Sequence, residues 1–350
     1  MRISFRHVLT ISLACAFSAL TAQGQKTQGT PVESPAPSSP VAQAQSLLNA
    51  GQVDSAIETL TAASRVNPND ARVQLLLGLA YYRKGEYKRA VEYLSVALRQ
   101  TPESSRQYRE VVQALGLSHY MLGHTAEAVP YLEQLNRWSP DNREIAYALG
   151  VGYIQTRNPD KARETFARLF SVPPGAAAAY LINAQMMVRQ QLEGPAETEL
   201  RKALELDPRL PQANFLLGEM AIYHAQIDLG IELLQKEIAL NPAFGMAHYR
   251  LGEAYTRQLK WDEAIGPLQK SIWLNPFFSG PYVVLGKVYL KKGDLPNAEN
   301  MLRHAVRIDP NNFSAHHLLA QVLQQAGRVE EAKREFGVAE TLRIGADKEP

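Results

Sequence analysis

The eight histidines are the residues of this chain with the widest range of possible chemistry, since imidazole can bind metal ions and transfer protons. His316 and His317 are adjacent, so on a helix they point in different directions, which is poor geometry for one metal ion. His119 falls on a core position and His124 falls in a turn. The sequence contains no Walker loop, no G-x-S-x-G elbow, no H-E-x-x-H and no C-x-x-C. We therefore predict no catalytic residue, no metal site, no cofactor and no enzymatic activity.

The net charge narrows the class of partner. The 350 residues include 37 Lys and Arg against 35 Asp and Glu, which gives a formal charge of +2. Arg2 and Arg6 account for this excess, because residues 1–24 contain no acid. The rest of the chain is neutral and has no bulk electrostatic attraction to nucleic acid or anionic lipid, so no nucleic-acid partner is predicted.

Residues 1–24 have the pattern of a secretory signal peptide. A basic start is followed by a mostly apolar stretch, residues 8–20, and then by small residues. This stretch is too short for a spanning helix with stop-transfer flanks, so we predict export without a membrane span. Cleavage after Ala22 and cleavage after Gly24 both fit the pattern. Export by a bacterium to the periplasm or cell envelope is the simplest interpretation.

The only cysteine, Cys15, lies inside the apolar stretch and has two interpretations. A lipoprotein would carry its lipid anchor there, but Ser12-Leu13-Ala14 departs from the usual pattern, which has Leu three residues before the cysteine. We favour an incidental apolar residue of the leader over an anchor. Residues 25–40 contain four prolines and no apolar period, so they are predicted to form a disordered linker.

Prolines recur at a nearly constant spacing through the rest of the chain. Seven intervals separate them, six of 34 residues and one of 38. The prolines are Pro68, Pro102, Pro140, Pro174, Pro208, Pro242, Pro276 and Pro310. With the proline at position 32 of a 34-residue frame, nine repeats extend from residue 37 to residue 346; the first four of these residues also belong to the predicted linker, so the repeat domain is taken as 41–346, followed by a tail, 347–350. The repeats are 37–70, 71–104, 109–142, 143–176, 177–210, 211–244, 245–278, 279–312 and 313–346, with 105–108 as the sole insertion.

Each repeat is predicted to form two helices. Apolar residues recur every three or four places on both sides of a break near position 15, which Gly51, Gly85, Gly123, Gly293 and Gly327 mark. Position 8 is Gly or Ala and position 20 is Ala in all repeats but one, so two helices can approach closely. The proline stops the second helix. Each hairpin then buries its apolar stripe against the next one.

The segment LLLGLAYYRKGEYKRAVEYLSVALRQTP, residues 75–102, contains L-G-x-x-Y, A-x-x-x-L and a final proline. It resembles the tetratricopeptide repeat, and the resemblance extends over residues 37–346. It implies an all-α fold, a right-handed α-solenoid superhelix of antiparallel helix pairs.

Repeat 211–244 departs from the pattern, with Gly230 at position 20 and Glu237 at position 27. Two alternatives stand for Glu237: a buried acid paired with His248 or Arg250, or a carboxylate that reaches water. We favour the second.

In the family that the sequence resembles, the first helix of each repeat lines a concave surface that binds ligands. By position, the resemblance places twelve residues on a partner-binding groove. They are Tyr82, Tyr120, Tyr147, Phe215, Glu219, Tyr249, Arg250, Glu253, Arg257, Lys287, Lys291 and His317. Aromatic and arginine side chains on one surface are typical of binding hot spots. The competing interpretation is that several aliphatic residues of the groove merely pack between adjacent first helices.

The resemblance implies a non-enzymatic scaffold that holds a protein or peptide segment in the groove. The Lys and Asn pattern with which some relatives bind chaperone C-termini is missing from the corresponding positions. The alternative is an accessory of polysaccharide export or envelope assembly that binds a glycan, and Tyr249, Glu253 and Tyr282 favour it.

Overall fold

The structure is a computed structural model that describes residues 39–346. The predicted leader with Cys15, residues 25–38 of the predicted linker and the tail 347–350 lie outside the described residues. Ser39 and Pro40, the last two residues of that linker, begin the first helix, where the Ser39 hydroxyl accepts a hydrogen bond from the backbone N–H of Ala42 at 3.2 Å.

The helices fall into two compact units that meet in sequence between Pro174 and Gly175. The first unit contains α1 (Pro40–Asn49), α2 (Val53–Val66), α3 (Ala71–Lys84), α4 (Tyr87–Gln100), α5 (Arg106–Leu122), α6 (Thr125–Trp138), α7 (Arg143–Gln155) and α8 (Pro159–Leu169). The second contains α9 (Ala177–Arg189), α10 (Glu193–Leu206), α11 (Ala213–Tyr223), α12 (Ile227–Leu240), α13 (Gly245–Arg257), α14 (Trp261–Leu274), α15 (Ser279–Lys291), α16 (Leu295–Ile308), α17 (Phe313–Gln325) and α18 (Val329–Ala346). No strand occurs between residues 39 and 346, which confirms the all-α fold class.

Within each unit, every odd-numbered helix packs against the even-numbered helix that follows it. Each even-numbered helix also contacts the next odd-numbered helix of its unit, so consecutive hairpins stack. None of the described helices is long and apolar enough to cross a membrane.

Small residues hold the two helices of a hairpin together, as predicted. A Cβ atom at Gly78 would lie 2.5 Å from Leu94 Cγ, and one at Gly252 would lie 2.5 Å from Leu268 Cγ, closer than carbon atoms can approach. In both pairs the leucine follows the glycine by 16 residues. Close approach at the glycine therefore seats a buried leucine of the second helix directly on the backbone of the first.

The turn between the two helices has the same backbone conformation in all nine hairpins between residues 39 and 346. Position 15 has a positive φ, which glycine adopts without strain in five of them, as at Gly293 with φ +79°. The other four have Arg157, Gln191, Ala225 and Leu259, with φ between 58° and 62°. The predicted glycine break is thus one case of a more general left-handed turn, which side chains occupy at a cost.

A hydrogen bond that the sequence did not suggest ties the recurrent proline to the next hairpin. At position 4 of four repeats, a side chain donates to the carbonyl oxygen of the proline six residues earlier. The pairs are Gln74 Nε2 with Pro68 (2.5 Å), His248 Nε2 with Pro242 (3.0 Å), Tyr282 Oη with Pro276 (3.2 Å) and His316 Nε2 with Pro310 (3.0 Å). The proline carbonyl, which follows the end of one helix, is thereby paired by the start of the next.

The structure corrects both sequence-based alternatives for Glu237: the carboxylate is buried, as the first had it, but it pairs with neither His248 nor Arg250. Its side chain is 0% exposed, so it does not reach water. Its carboxylate accepts hydrogen bonds from the backbone N–H groups of Gln212 at 2.8 Å and Phe215 at 3.4 Å, at the start of α11. Gln212 is the N-cap residue, with φ +70°, and its own side chain makes no capping hydrogen bond. Glu237 therefore caps α11 from α12, where the helix dipole favours an anion.

The insertion 105–108 is not a loop. The Ser105 hydroxyl accepts a hydrogen bond from the backbone N–H of Tyr108 at 3.1 Å, and the helix α5 begins at Arg106. Three of the four inserted residues thus extend a first helix to 17 residues.

We expect Leu259→Gly to stabilise the protein by about 0.5–1 kcal/mol, because glycine removes the left-handed strain of about 1–2 kcal/mol but orders a more flexible residue. The matched control is Gly293→Ala, at the same turn position with no atom within 4 Å of the new Cβ, which should cost about 1 kcal/mol. Urea midpoints measure both changes. Equal effects of the two substitutions would contradict the turn geometry.

We expect Glu237→Ala to cost about 1–3 kcal/mol, because it leaves the N–H groups of Gln212 and Phe215 without their acceptor. Glu237→Gln keeps one acceptor oxygen and should cost less. Urea midpoints and hydrogen exchange at residues 212–216 measure the loss, and exchange there should speed up most in the alanine variant. An unchanged exchange rate would show that the carboxylate does not cap α11.

Candidate functional site

The groove residues of the first unit are half-buried on successive first helices: Tyr82 on α3, Tyr120 on α5 and Tyr147 on α7. Burial, together with nearby Tyr87, raises the pKa of Tyr82 to about 12. The ring of Tyr147 meets the buried Phe166 at a centroid distance of 6.1 Å. These tyrosines therefore contribute to packing as well as to the surface.

Two aromatic groove residues of the second unit mainly pack against other side chains. Phe215 is 8% exposed and packs edge-on against Phe244, with ring centroids 4.9 Å apart. His317 is half-buried, stacked on Phe313 at 5.6 Å and edge-on to Phe336 at 5.5 Å. The packing interpretation of the groove's aliphatic residues thus extends to these two rings.

Four of the predicted residues form one ionic network between α11 and α13, which contact each other. Arg250 Nε lies 2.7 Å from Glu219 Oε1, and Arg250 Nη1 lies 2.9 Å from Glu253 Oε2. Arg257 Nη2 lies 3.6 Å from Glu253 Oε1. Arg250, Glu253 and Arg257 are spaced by three and four residues, so they share one face of α13. The sequence placed all four residues on first helices of their repeats, but it did not show that they pair with each other.

The network is half-buried, and its electrostatics reflect this. Burial disfavours the charge of Arg250, but the hydrogen bonds and charges of Glu253 and Glu219 outweigh burial and raise the pKa of Arg250. Burial, followed by the charge of Glu253, raises the pKa of Tyr249, whose ring lies 5.3 Å from the Arg250 guanidinium carbon. Tyr249 also packs against Phe278 at a centroid distance of 5.1 Å. The arginine is thus held in place by carboxylates and an aromatic ring.

The network lines a cavity of about 270 Å³ in the second unit, which we call the central cavity. Its lining residues are Val188, Glu193, Leu216, Glu219, Met220, Ile222, Tyr223, Arg250, Glu253 and Arg257. Tyr223 is 74% exposed. Glu193 Oε2 lies 3.0 Å from Nε2 of His224, the residue after Tyr223.

Sequence reasoning missed two important members of this lining. Tyr223 occupies position 13, the same position as the predicted Arg257 and Lys291, so the repeat frame itself could have identified it. Glu193 is the first residue of α10, which is the second helix of its hairpin, whereas the prediction considered only the first helix of each hairpin. No pattern in the sequence signals that a second helix reaches the groove at this point.

The predicted residues Lys287 and Lys291 are exposed on α15. This helix is the first helix of the next repeat, and it contacts α13. Neither lysine has an ion-pair partner among the described residues. The surface therefore changes along the row of first helices, from paired charges on α11 and α13 to free cations on α15.

A further cavity of about 280 Å³ lies in the first unit. It is lined by Asn136, Pro140, Asp141, Arg143, Ala146, Thr165, Arg168 and Leu169, none of which is among the predicted groove residues. Among residues 39–346, no group of three His, Cys, Asp or Glu side chains is placed to hold a metal ion. The central cavity, with its mixed charges and aliphatic wall, has the composition of a binding surface.

Several solved structures of low sequence identity are similar to this chain. A crystal structure of MamA is 24% identical, covering 47% of this chain and 97% of that one, with a TM-score of 0.44. MamA from Desulfovibrio magneticus RS-1 is 20% identical, covering 49% and 97%, with a TM-score of 0.46. The APC/C hetero-tetramer Cut9-Hcn1 is 18% identical, covering 82% of this chain and 56% of that one, with a TM-score of 0.44. No curated protein matches the sequence.

Two sequence models, both described as tetratricopeptide repeat, match this chain. The first matches residues 41–105 and 215–276, and the second matches residues 120–185 and 289–339. Together they span most of the helical hairpins in both units. The chain belongs to the tetratricopeptide repeat family.

Proposed function

We propose that this protein is a non-enzymatic scaffold that holds an extended segment of a partner protein along the first helices of its second unit, centred on the central cavity. Tetratricopeptide repeats support protein–protein interaction, and proteins of this family are generally non-enzymatic scaffolds. The observation that carries the proposal is the cavity itself, where an exposed tyrosine and two ion-paired arginines meet an aliphatic wall.

The physical basis of the proposal is preorganisation. Arg250 is already fixed by Glu219 and Glu253, so its side chain loses little freedom when a partner docks. Tyrosine and arginine side chains dominate the energy of many protein interfaces, and Tyr223 and Arg257 are both exposed at this site. A partner segment that covers them would exclude water from a network that is already half-buried.

We also propose the domain organisation and the setting. The division into a leader 1–24, a linker 25–38, nine repeats that start with α1 and end at residue 346, and a tail 347–350 follows from the spacing of the prolines, the composition of the N-terminal segment and the start of α1. The basic, apolar and small residues of the leader support export to the bacterial periplasm or cell envelope.

No structural observation favours the polysaccharide alternative. It depended on Tyr249, Glu253 and Tyr282 as a platform for sugar rings. Tyr282 is 8% exposed, stacks on His304 at 5.6 Å and donates its hydroxyl to Pro276. Tyr249 is half-buried against Phe278. Neither ring therefore offers an open face of the kind that a sugar platform requires.

Photo-cross-linking tests the proposal. We expect Tyr223→p-benzoylphenylalanine, at the exposed mouth of the cavity, to give discrete protein adducts when the purified protein is irradiated in envelope extract. The matched control is Trp273→p-benzoylphenylalanine, because Trp273 is 71% exposed in the same unit and does not line the cavity. The adducts should disappear when Arg250→Ala and Arg257→Ala are added to the first variant. Indistinguishable adducts from positions 223 and 273, or none from position 223, would contradict the proposal.

A further inference from the structure

We infer that the central cavity takes a single lysine or arginine side chain of the partner segment, so that the scaffold selects a basic residue at this point. The inference rests on the proposed function and adds the chemistry by which the partner is recognised. Three observations carry it: the balance of charge in the lining, the carboxylate oxygens that remain without a partner, and the aliphatic wall.

The lining has an excess of negative charge. Three carboxylates line the cavity, those of Glu193, Glu219 and Glu253, against the two guanidinium groups of Arg250 and Arg257. Both arginines are paired within the network, whereas Glu193 is paired only with His224, which neutralises it only when the imidazole is protonated. The carboxylates of the lining therefore outnumber its guanidinium groups by one. A cationic group is the complementary ligand.

Two carboxylate oxygens remain to receive that cation. Glu219 uses Oε1 for Arg250, and its Oε2 has no hydrogen-bond partner among residues 39–346. Glu193 uses Oε2 for His224, and its Oε1 has no hydrogen-bond partner among the described residues. Each oxygen can accept hydrogen bonds from an ammonium or guanidinium group.

The wall of the cavity suits the stem of a long basic side chain. Val188, Leu216, Met220 and Ile222 line it, and Met220 and Ile222 are buried beneath the surface. Lysine and arginine bury their methylene groups against such a surface while the charged head meets polar groups. A volume of about 270 Å³ accommodates one side chain rather than a helix. A purely aliphatic side chain would fill the wall but would leave the carboxylates without a cation.

The free cations on the next first helix extend the recognition beyond the cavity. Lys287 and Lys291 on α15 have no ion-pair partner among the described residues, and α15 contacts α13. An acidic residue near the basic one in the partner segment would meet these lysines. The partner chemistry that fits this face is therefore a basic residue with an acidic neighbour.

Capped amino acids test the inference directly. Met220 and Ile222 methyl signals are followed by NMR in the purified protein while N-acetyl-arginine methylamide or N-acetyl-lysine methylamide is added. N-acetyl-norleucine methylamide and N-acetyl-glutamate methylamide are the comparison probes. We expect the two basic probes to shift both methyl signals and to bind about two- to fivefold more tightly than norleucine, the range of a partly exposed ion pair.

Substitutions identify the carboxylates responsible. Glu193→Gln combined with Glu219→Gln should remove the preference for the basic probes over norleucine. The matched control is Glu232→Gln, because Glu232 is an exposed carboxylate of α12, paired with Lys236, that does not line the cavity. This control should leave the preference unchanged.

Equal binding of norleucine and lysine probes, tighter binding of the glutamate probe, or no methyl shift with any probe would overturn the inference. The proposed function can survive that result. If position 223 still cross-links a protein while the basic probes fail, the scaffold binds a segment by different chemistry. If the basic probes succeed and no protein is cross-linked, the cavity recognises a cation but the segment-binding function fails.

Discussion

The close contact between a glycine of the first helix and a leucine or phenylalanine 16 residues later is the constraint on which the rest of the structure depends, and it occurs at five of the six glycines at position 8. At Gly150, for example, a Cβ atom would lie 2.5 Å from Phe166 Cζ. Only a residue without a side chain lets the ring sit on the helix backbone, and that contact fixes the distance between the two helices. Because the spacing repeats, the first helices of a unit are held in a constant register. Residues 34 apart, such as Leu216, Arg250 and Val284, therefore occupy equivalent places on neighbouring first helices.

Much of this fold could be predicted from the sequence, because side-chain volume and the spacing of apolar residues, glycines and prolines can be seen directly in it. Pro276, Gly252 and Leu268 have the same places in the frame as their counterparts in other repeats, and the structure uses them as predicted. The left-handed turn at Leu259 and the cap that Glu237 provides could not be predicted in this way. Leucine at a turn carries no signal of a positive φ, and a carboxylate at a core position does not reveal which backbone N–H groups it will meet.

The candidate site likewise combines features that the sequence predicted with features that it did not. The repeat frame put Arg250, Glu253 and Arg257 on one helix face and Glu219 on the neighbouring one, which is where they lie. It also placed Phe215 on the groove, where the structure buries the ring against Phe244. The position of a residue in the repeat frame gives the direction in which its side chain leaves the helix. It does not give the depth to which neighbouring side chains bury it. Depth depends on the side chains of several helices at once. Glu193 was missed for another reason: it lies on the second helix of its hairpin, and the prediction considered first helices only.

The packing and the site are coupled through α11. This helix carries Glu219 and Tyr223 into the central cavity, and its first turn is held by the buried carboxylate of Glu237 on α12. A buried carboxylate costs free energy to desolvate, and here two backbone N–H groups and the helix dipole compensate for that cost. The same arrangement fixes where α11 begins, and so where Glu219 meets Arg250 from α13. An alanine at position 237, the usual type in this frame, would pack well but would not hold the helix start. The departure of this repeat from the pattern is therefore consistent with the position of its binding cavity, since the residue that breaks the pattern orients the helix that lines it.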